Sequence, residues 1–394
     1  MMDNYSKERY PLDSFLIFII IALVAISCFT LFTLQDFLPA TISDTNFYIN
    51  QMIWFVVGSI GVLALMILDF DWYRKIAWIV YGFGIFMLAG LFFLPWGTTL
   101  NGARSWYLIA GQSIQPSEFM KVFLVLALAH MITSHNEKWT QKNLKYDLFL
   151  LGKILILSVP PFVLIAIQPD LGSALVILAI TGFMTLISGI RWRTLLTIFG
   201  SIFVLLATLI ILYLANTDAF IDYLMDSPFQ HVAGRIQAWQ NPHLYADSSG
   251  LQVIKSMLAI GSGQLFGKGI MGFEVYIPER HTDMIFTAVA EQFGFIGASV
   301  LIILYFLMIY RIIKIALDCK DPFGTYICVG MVGLFSFQVF QNIGMSVQLL
   351  PLTGIPLPFL SYGGTSLLVY MAAIGLVLNV HSRKREFMFD SDQD

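Results

Sequence analysis

Long apolar stretches alternate with short polar ones along almost the whole chain. Ten such stretches stand out, near residues 12–34, 50–68, 75–95, 117–134, 148–167, 170–190, 194–215, 284–310, 325–348 and 365–381. Each is rich in Leu, Ile, Phe and Val, and each approaches the roughly 20 helical residues that cross a bilayer core. None shows the period-two alternation of a barrel strand. Inside lipid the backbone must satisfy its own polar groups, which a helix does within one segment. The pattern therefore predicts an all-α polytopic membrane protein with about ten transmembrane helices. The fifth and sixth stretches meet at Gln168-Pro169-Asp170 and predict a helical hairpin. One interruption is large: residues 216–283 predict a long extracellular loop between spans seven and eight, inside a single domain over 1–394. Most connections run to about six residues, so a loop of this length is expected to carry function.

Composition agrees, with 58% hydrophobic and 12% charged residues. The few charges set the orientation. With the N-terminus inside, sixteen Lys and Arg fall on the inner side, among them Lys7, Arg9, Arg74, Lys142, Arg191, Arg311, Lys384 and Arg385. Six fall on the outer side: Arg104, Lys121, Arg235, Lys255, Lys268 and Arg280. Cytoplasmic loops hold the excess of basic residues, so N-in, C-in is predicted. The first span follows Lys7 and Arg9 but is too long for a signal-peptide core, and no small-x-small site follows it. It reads as an uncleaved span in a plasma-type membrane. The three cysteines, Cys28, Cys319 and Cys328, avoid the outer loops, so no structural disulfide is expected. A net charge of −3 singles out no partner, and no nucleic acid is expected.

Ionisable groups inside spans are expensive and tend to be functional. Here Glu118 and Lys121 open the fourth span, Asp170 opens the sixth, Asp283 opens the eighth, and Glu291 lies about 12 Å deeper. All lie toward the outer boundary. Ion-coupled transporters hold their sites near the midplane, whereas this distribution fits chemistry at the level of outer headgroups. Structural readings stand beside each. Glu118 and Lys121, spaced i, i+3, can form an ion pair, or Glu118 can complement a helix N-terminus after Pro116 and Ser117 while Lys121 snorkels. Asp170 after Pro169 reads as an N-cap. Trp106 reads as a belt aromatic, and Glu291 as a buried acid paired with a neighbour. The glycine-rich stretch 261–269 matches neither the Walker nor the dinucleotide template and reads as a re-entrant turn where backbones pack closely. His231, His243 and His281 lie on the outer side without metal-ligand spacing. No cofactor is required by the sequence, and a divalent cation near the acids and a phosphate stays open.

Four ordered motifs carry a resemblance: GARSWYLIAGQSIQPSEFMK at 102–121, QPDLGSA at 168–174, IPERHTDMIFTAVAEQFGFIG at 277–297 and LLPLTGIPLPFLSYGGTSLL at 349–368. Together they resemble the RodA/FtsW/SpoVE family, the SEDS proteins, over the whole chain. The resemblance implies an integral-membrane peptidoglycan glycosyltransferase that polymerises lipid II at the outer leaflet, beside a class B penicillin-binding protein. Position by position, it implies Asp283 as the essential acid of His-Thr-Asp, with His281 beside it, and Trp106 as a sensitive aromatic. It places the fourth-span ion pair at Glu118 and Lys121, and the basic loop position at Arg235. Three departures accompany it. Gln292 follows Glu291 where many members have a second Glu, Lys255 replaces a frequent Gln, and Gln348 stands where a small residue is usual. The motif Glu-Val-Tyr-Ile-Pro-Glu and the short tails look more like the elongation-type branch than the division type.

The implied reaction joins a lipid-linked glycan to the 4-hydroxyl of an incoming lipid II sugar and inverts the anomeric centre. One displacement and one base are then enough, and Asp283 is the expected base. Arg104, Lys121 and Arg235 are the expected cations for the leaving pyrophosphate, and Trp106 is expected to stack on a sugar. The alternatives are a lipid-linked oligosaccharide flippase and a non-catalytic scaffold for a penicillin-binding protein.

Overall fold

The computed structural model describes residues 12–39, 45–94, 97–100, 103–109, 111–139, 143–217, 220–221, 230–245 and 249–383. Lys7, Arg9, Gly102, Lys142, Lys384 and Arg385 lie outside the described residues, as does the His231 side chain. Polar caps stand directly before the apolar runs. Asp13 accepts from the Leu16 amide at 2.9 Å, Asn143 from Tyr146 at 2.8 Å, Asp170 from Ser173 at 3.0 Å and Asp321 from Phe323 at 3.0 Å. Each satisfies one of the amides that a helix start leaves without a partner.

Seven helices follow in the first half: α1 (Ser14–Leu34), α2 (Phe47–Ile67), α3 (Phe70–Phe93), α4 (Pro116–Lys138), α5 (Leu144–Ile167), α6 (Leu171–Ile187) and α7 (Trp192–Ala215). The long loop carries α8 (Gln230–Gln240) and α9 (Ser249–Ser262), and the chain finishes with α10 (Ile285–Asp318), α11 (Pro322–Ser346) and α12 (Gly364–Arg383). Among the described residues nine of these are long and apolar enough to cross a membrane, and α6 is a shorter apolar helix. The ten expected spans therefore match ten helices one for one.

Helices α4, α11 and α12 form the centre, with most of their span residues buried, while α7 is almost wholly exposed and buries only Thr194 and Leu195. Helix α12 lies along α2, α11 against α6 and α10, and α3 against α4. Small residues set the close contacts: a Cβ on Gly330 would meet Val125 at 2.5 Å. At the end that the basic residues assign to the cytoplasm, ion pairs staple helix to helix. Arg74 meets Asp321, Arg191 meets Asp147 and Arg311 meets Asp13, each at 2.7 Å, and Arg383 pairs with Asp69.

Two features of the opposite end depart from a purely helical expectation. The segment between α3 and α4 forms a three-stranded antiparallel sheet: β1 (Gly97–Leu100), β2 (Ala103–Ile109) and β3 (Gln112–Ile114). Thr98 pairs with Trp106 and Leu108 with Ser113, and Gly111 takes φ 80° in the turn between β2 and β3. These strands are too short for their alternation to register beside spans of 20 residues. The second feature is a break in α10 at Gly294, where φ is 64° and ψ −158°. The glycine-rich stretch lies against this break and completes its hydrogen bonds. Lys268 and Gly269 amides donate to the Glu291 and Gln292 carbonyls at 2.9 and 3.1 Å. Phe295 and Ile296 amides donate to Gln264 and Leu265 at 2.8 and 3.2 Å. The loop is thus a re-entrant turn reaching about 15 Å down α10, and the exposed Leu265 and Phe266 face lipid beside Phe295.

Candidate active site

One cavity of about 690 Å³ opens among the helix ends opposite those that the basic residues assign to the cytoplasm. Its wall includes Trp54, Ser105, Trp106, Glu118, Lys121, Asp170, Arg235, Glu279, Asp283, Gly354, Tyr362 and Ser366. Every span that contributes does so near its terminus at this end, so the cavity does not lead toward the other end. Phe119, Ile114, Ile355 and Leu368 add an apolar stretch to the same wall.

Asp283 stands two residues before α10, next to its cap Met284. Its backbone carbonyl accepts from the buried Asn342 side chain at 2.8 Å, and the same amide group donates to Ile355 at 2.7 Å. Gly354, with φ 73°, sits beside the carboxylate, and a Cβ there would lie 3.2 Å from Asp283 Oδ2. Glycine is required twice, for its left-handed backbone and for the room it leaves. The Asp283 side chain forms no ion pair among the described residues. Burial pushes its pKa up to about 8, the carboxylates of Glu279 and Asp170 add to the rise, and Arg235 opposes it.

The three expected cations separate. Arg104 is exposed on β2, outside the cavity wall, with Nη2 3.4 Å from the Leu94 carbonyl. Lys121 lines the cavity but is held by Glu118 at 2.6 Å, with both side chains at most 2% exposed. The ion-pair reading of these two therefore has the geometry, and Glu118 Oε2 has no partner among the described residues. Arg235 also lines the cavity. It donates Nη1 to the Thr353 carbonyl at 3.3 Å and meets no carboxylate within salt-bridge distance among the described residues. Burial lowers its pKa, and Asp170 and Asp283 counter that.

Trp106 reaches the wall from β2, which is anchored on both sides of it. Ser105 Oγ donates to the Gln168 carbonyl at 3.3 Å and Tyr107 Oη to the Met87 carbonyl at 2.8 Å. Asp170 both caps α6 and lines the cavity, accepting from Gln115 at 2.9 Å and Ser117 at 3.2 Å.

Two expected site residues lie behind the wall. His281 is buried against Phe47, with ring centroids 4.6 Å apart, and burial lowers its pKa. Its carbonyl accepts from the Tyr362 amide at 3.0 Å, so it fixes the segment before Asp283 and stays clear of the cavity. Glu291 is fully buried and faces the re-entrant turn. It bonds Lys268 at 3.1 Å, the Glu274 amide at 3.0 Å and the buried Arg280. It takes no part in the cavity wall. Among the described residues no three His, Cys, Asp or Glu side chains form a metal-holding group. Asp170, Glu279 and Asp283 share the wall without making one.

Nothing in the residue pattern marked Trp54, Asn342 or Gly354. Trp54 looks like one more aromatic in an apolar span, Asn342 like a polar residue inside another, and Gly354 like a turn residue.

Comparison with known proteins places this architecture. A family model for FtsW, RodA and SpoVE, described as a cell cycle protein family, matches residues 13–386. The stage V sporulation protein E of Bacillus subtilis is 32% identical over 387 residues, covering 96% of this chain and 99% of the relative. A probable peptidoglycan glycosyltransferase FtsW of the same organism is 33% identical, covering 86% and 82%. Among solved structures, a chain of a peptidoglycan synthase complex that coordinates polymerization and crosslinking superposes with a TM-score of 0.73 at 26% identity, covering 95% and 98%. The rod shape-determining protein RodA of Thermus thermophilus superposes with a TM-score of 0.65 at 28% identity, covering 95% and 97%. The fold, the motifs and these matches agree, and the chain belongs to the FtsW/RodA/SpoVE family.

Proposed function

We propose that this protein is a peptidoglycan glycosyltransferase that polymerises lipid II, with its cavity open to the outer face of the plasma membrane. The observation that carries the reading is that Asp283 and Arg235 share one cavity and neither forms an ion pair among the described residues. Lipid II, a disaccharide-pentapeptide on undecaprenyl pyrophosphate, needs what this wall offers. Its sugars meet Trp54 and Trp106, its pyrophosphate meets Arg235, and its prenyl chain lies along Phe119, Ile355 and Leu368.

Asp283 accepts the proton of the acceptor 4-hydroxyl as that oxygen bonds to the anomeric carbon of the donor. The bond from that carbon to phosphate breaks, and its electron pair leaves with undecaprenyl pyrophosphate. A single displacement turns an α-linked donor into a β-linked product, with no covalent enzyme intermediate. A base whose pKa lies near the working pH is both available and strong enough for the transfer. Arg235 stabilises the charge that grows on pyrophosphate. Glu118 and Lys121 neutralise each other and shape the floor. Asp170 and Glu279 would be the wall carboxylates nearest a divalent cation, which would add positive charge beside the pyrophosphate. A class B penicillin-binding protein is the proposed partner, and Glu-Val-Tyr-Ile-Pro-Glu at 274–279 favours a role in elongation.

The test uses purified full-length protein in detergent with lipid II, with and without a class B penicillin-binding protein. Polymer is expected, and Asp283→Asn should reduce it by at least a thousandfold while the protein stays folded. Polymerisation by Asp283→Asn at the normal rate removes Asp283 as base. A detergent-soluble chain that never polymerises but moves lipid II across vesicles returns the flippase.

A further inference from the structure

Arg235 owes its place to a contact at the far end of its own helix. Trp239 lies four residues on, on the same face of α8. Its indole Nε1 donates to the Gln348 carbonyl at 2.9 Å, and Gln348 Nε2 donates back to the Trp239 carbonyl at 3.0 Å. Gln348 follows the cap Val347 at the end of α11. The Leu349 amide bonds the Gly344 carbonyl at 2.8 Å and the Gln348 amide bonds Met345 at 3.3 Å, the pair of bonds that defines a Schellman cap. The residue at the turn of such a cap takes left-handed backbone, and Gln348 has φ 60°. Glycine is favoured there, and a glutamine is strained. Strain of this kind persists where the surroundings over-determine the residue. Among the described residues, the Gln348 side-chain amide bonds only the Trp239 carbonyl.

We infer that Gln348 is a positioning residue that latches α8 to the end of α11 and so aims Arg235 into the cavity. The same few residues of α11 fix the rest of the wall. Asn342 holds Asp283 and Ile355, and the Ser346 carbonyl holds Ser256 of α9 at 2.6 Å. The latch adds Arg235 to that frame, so base and cation are registered to one helix end. This inference rests on the reading of Arg235 as the pyrophosphate-binding residue.

The test measures the affinity of the full chain in nanodiscs for undecaprenyl pyrophosphate, together with its thermal midpoint. Arg235→Ala is the reference and should weaken binding about tenfold. Gln348→Gly relieves the backbone strain and removes the amide. It should leave the midpoint unchanged or higher and still weaken binding about fivefold. Trp239→Phe keeps the ring but loses the donor, and should weaken binding by about the same factor. In the Arg235→Ala background neither change should weaken binding further. Undiminished affinity in Gln348→Gly, beside a weakened Arg235→Ala, overturns the latch alone. An equal loss with and without Arg235 also overturns it. Undiminished affinity in Arg235→Ala overturns the reading of Arg235 itself.

Discussion

Asp283 is treated in the opposite way to the acids at the far end of the helix bundle, and unlike Glu118 and Glu291 at its own end, which are paired. At the inner end Asp13, Asp69, Asp147 and Asp321 each face an arginine from another part of the chain. Three of these acids also cap or bond the starts of helices. At the outer end, as the basic residues assign it, Asp283 faces a cavity and forms no ion pair among the described residues. Its helix start is left uncapped by side chains. Charges that hold structure are neutralised where they stand, because a buried ion without a partner is costly. A charge kept without a partner is costly in the resting fold, and that cost marks it as reserved for a substrate. Asp283→Asn should therefore end catalysis, and no inner-end substitution should do so.

The next largest effect tests what keeps Asp283 in place. Asn342→Ala removes both bonds that tie the Asp283 carbonyl to Ile355 through one side chain. Catalytic geometry tolerates little displacement, so kcat should fall between about tenfold and a hundredfold. The lipid II concentration for half-maximal rate should move less than threefold, because Arg235 is fixed from a different residue. A rise in that concentration with kcat unchanged would place Asn342 in substrate binding.

Asp147→Asn breaks the comparison from the other side. Asp147 is fully buried, but Arg191 is 41% exposed and can turn to water. The loss should be about 1–2 kcal/mol of stability, less than for a pair buried on both sides. Denaturation in mild detergent reads it, and polymer yield per folded molecule should stay constant. A specific fall in kcat for this variant would erase the division between holding and reacting charges.

How much of this was legible in the chain differs between the two ends. The spans were legible because a bilayer imposes one length and one polarity on each. The reading of 284–310 stopped short of Asp318 because Arg311 and Lys314 end the apolar run while the helix continues into the inner boundary. Asp283 was legible as a charge at the mouth of a span. Glu291 was visible as a charge, but its direction was set by a loop returning from 261–272, which no local spacing reports. Arg104 and Lys121 looked equal to Arg235 until distance separated them. The sheet that carries Trp106 was hidden because its strands are short and its pairing partners lie across turns.

The pH response gives a smaller contrast. A base with a pKa of about 8 works only when deprotonated, so the rate should rise with pH and level off above about 8. Below that it should fall about tenfold per unit. A profile flat from pH 6 to 9 would argue against Asp283 as the titrating base.

The smallest effect is one of sign. The Asp283 pKa is raised in the folded protein above its value in an open chain, so the folded state prefers the protonated acid. That stability is complete below the open-chain value of 3.8 and is lost as pH rises through about 8. Asparagine cannot ionise and escapes the loss. Above pH 8, Asp283→Asn should therefore melt a few degrees higher than the parent, and the difference should close as pH falls toward 4. Asp147→Asn should melt lower than the parent across the same range. One substitution that kills the enzyme and firms the fold, set against one that spares the enzyme and loosens it, separates the two ends by direction as well as size. A lower midpoint for Asp283→Asn at high pH would mean that its carboxylate is stabilised in place, and the outer acid would then belong with the inner ones.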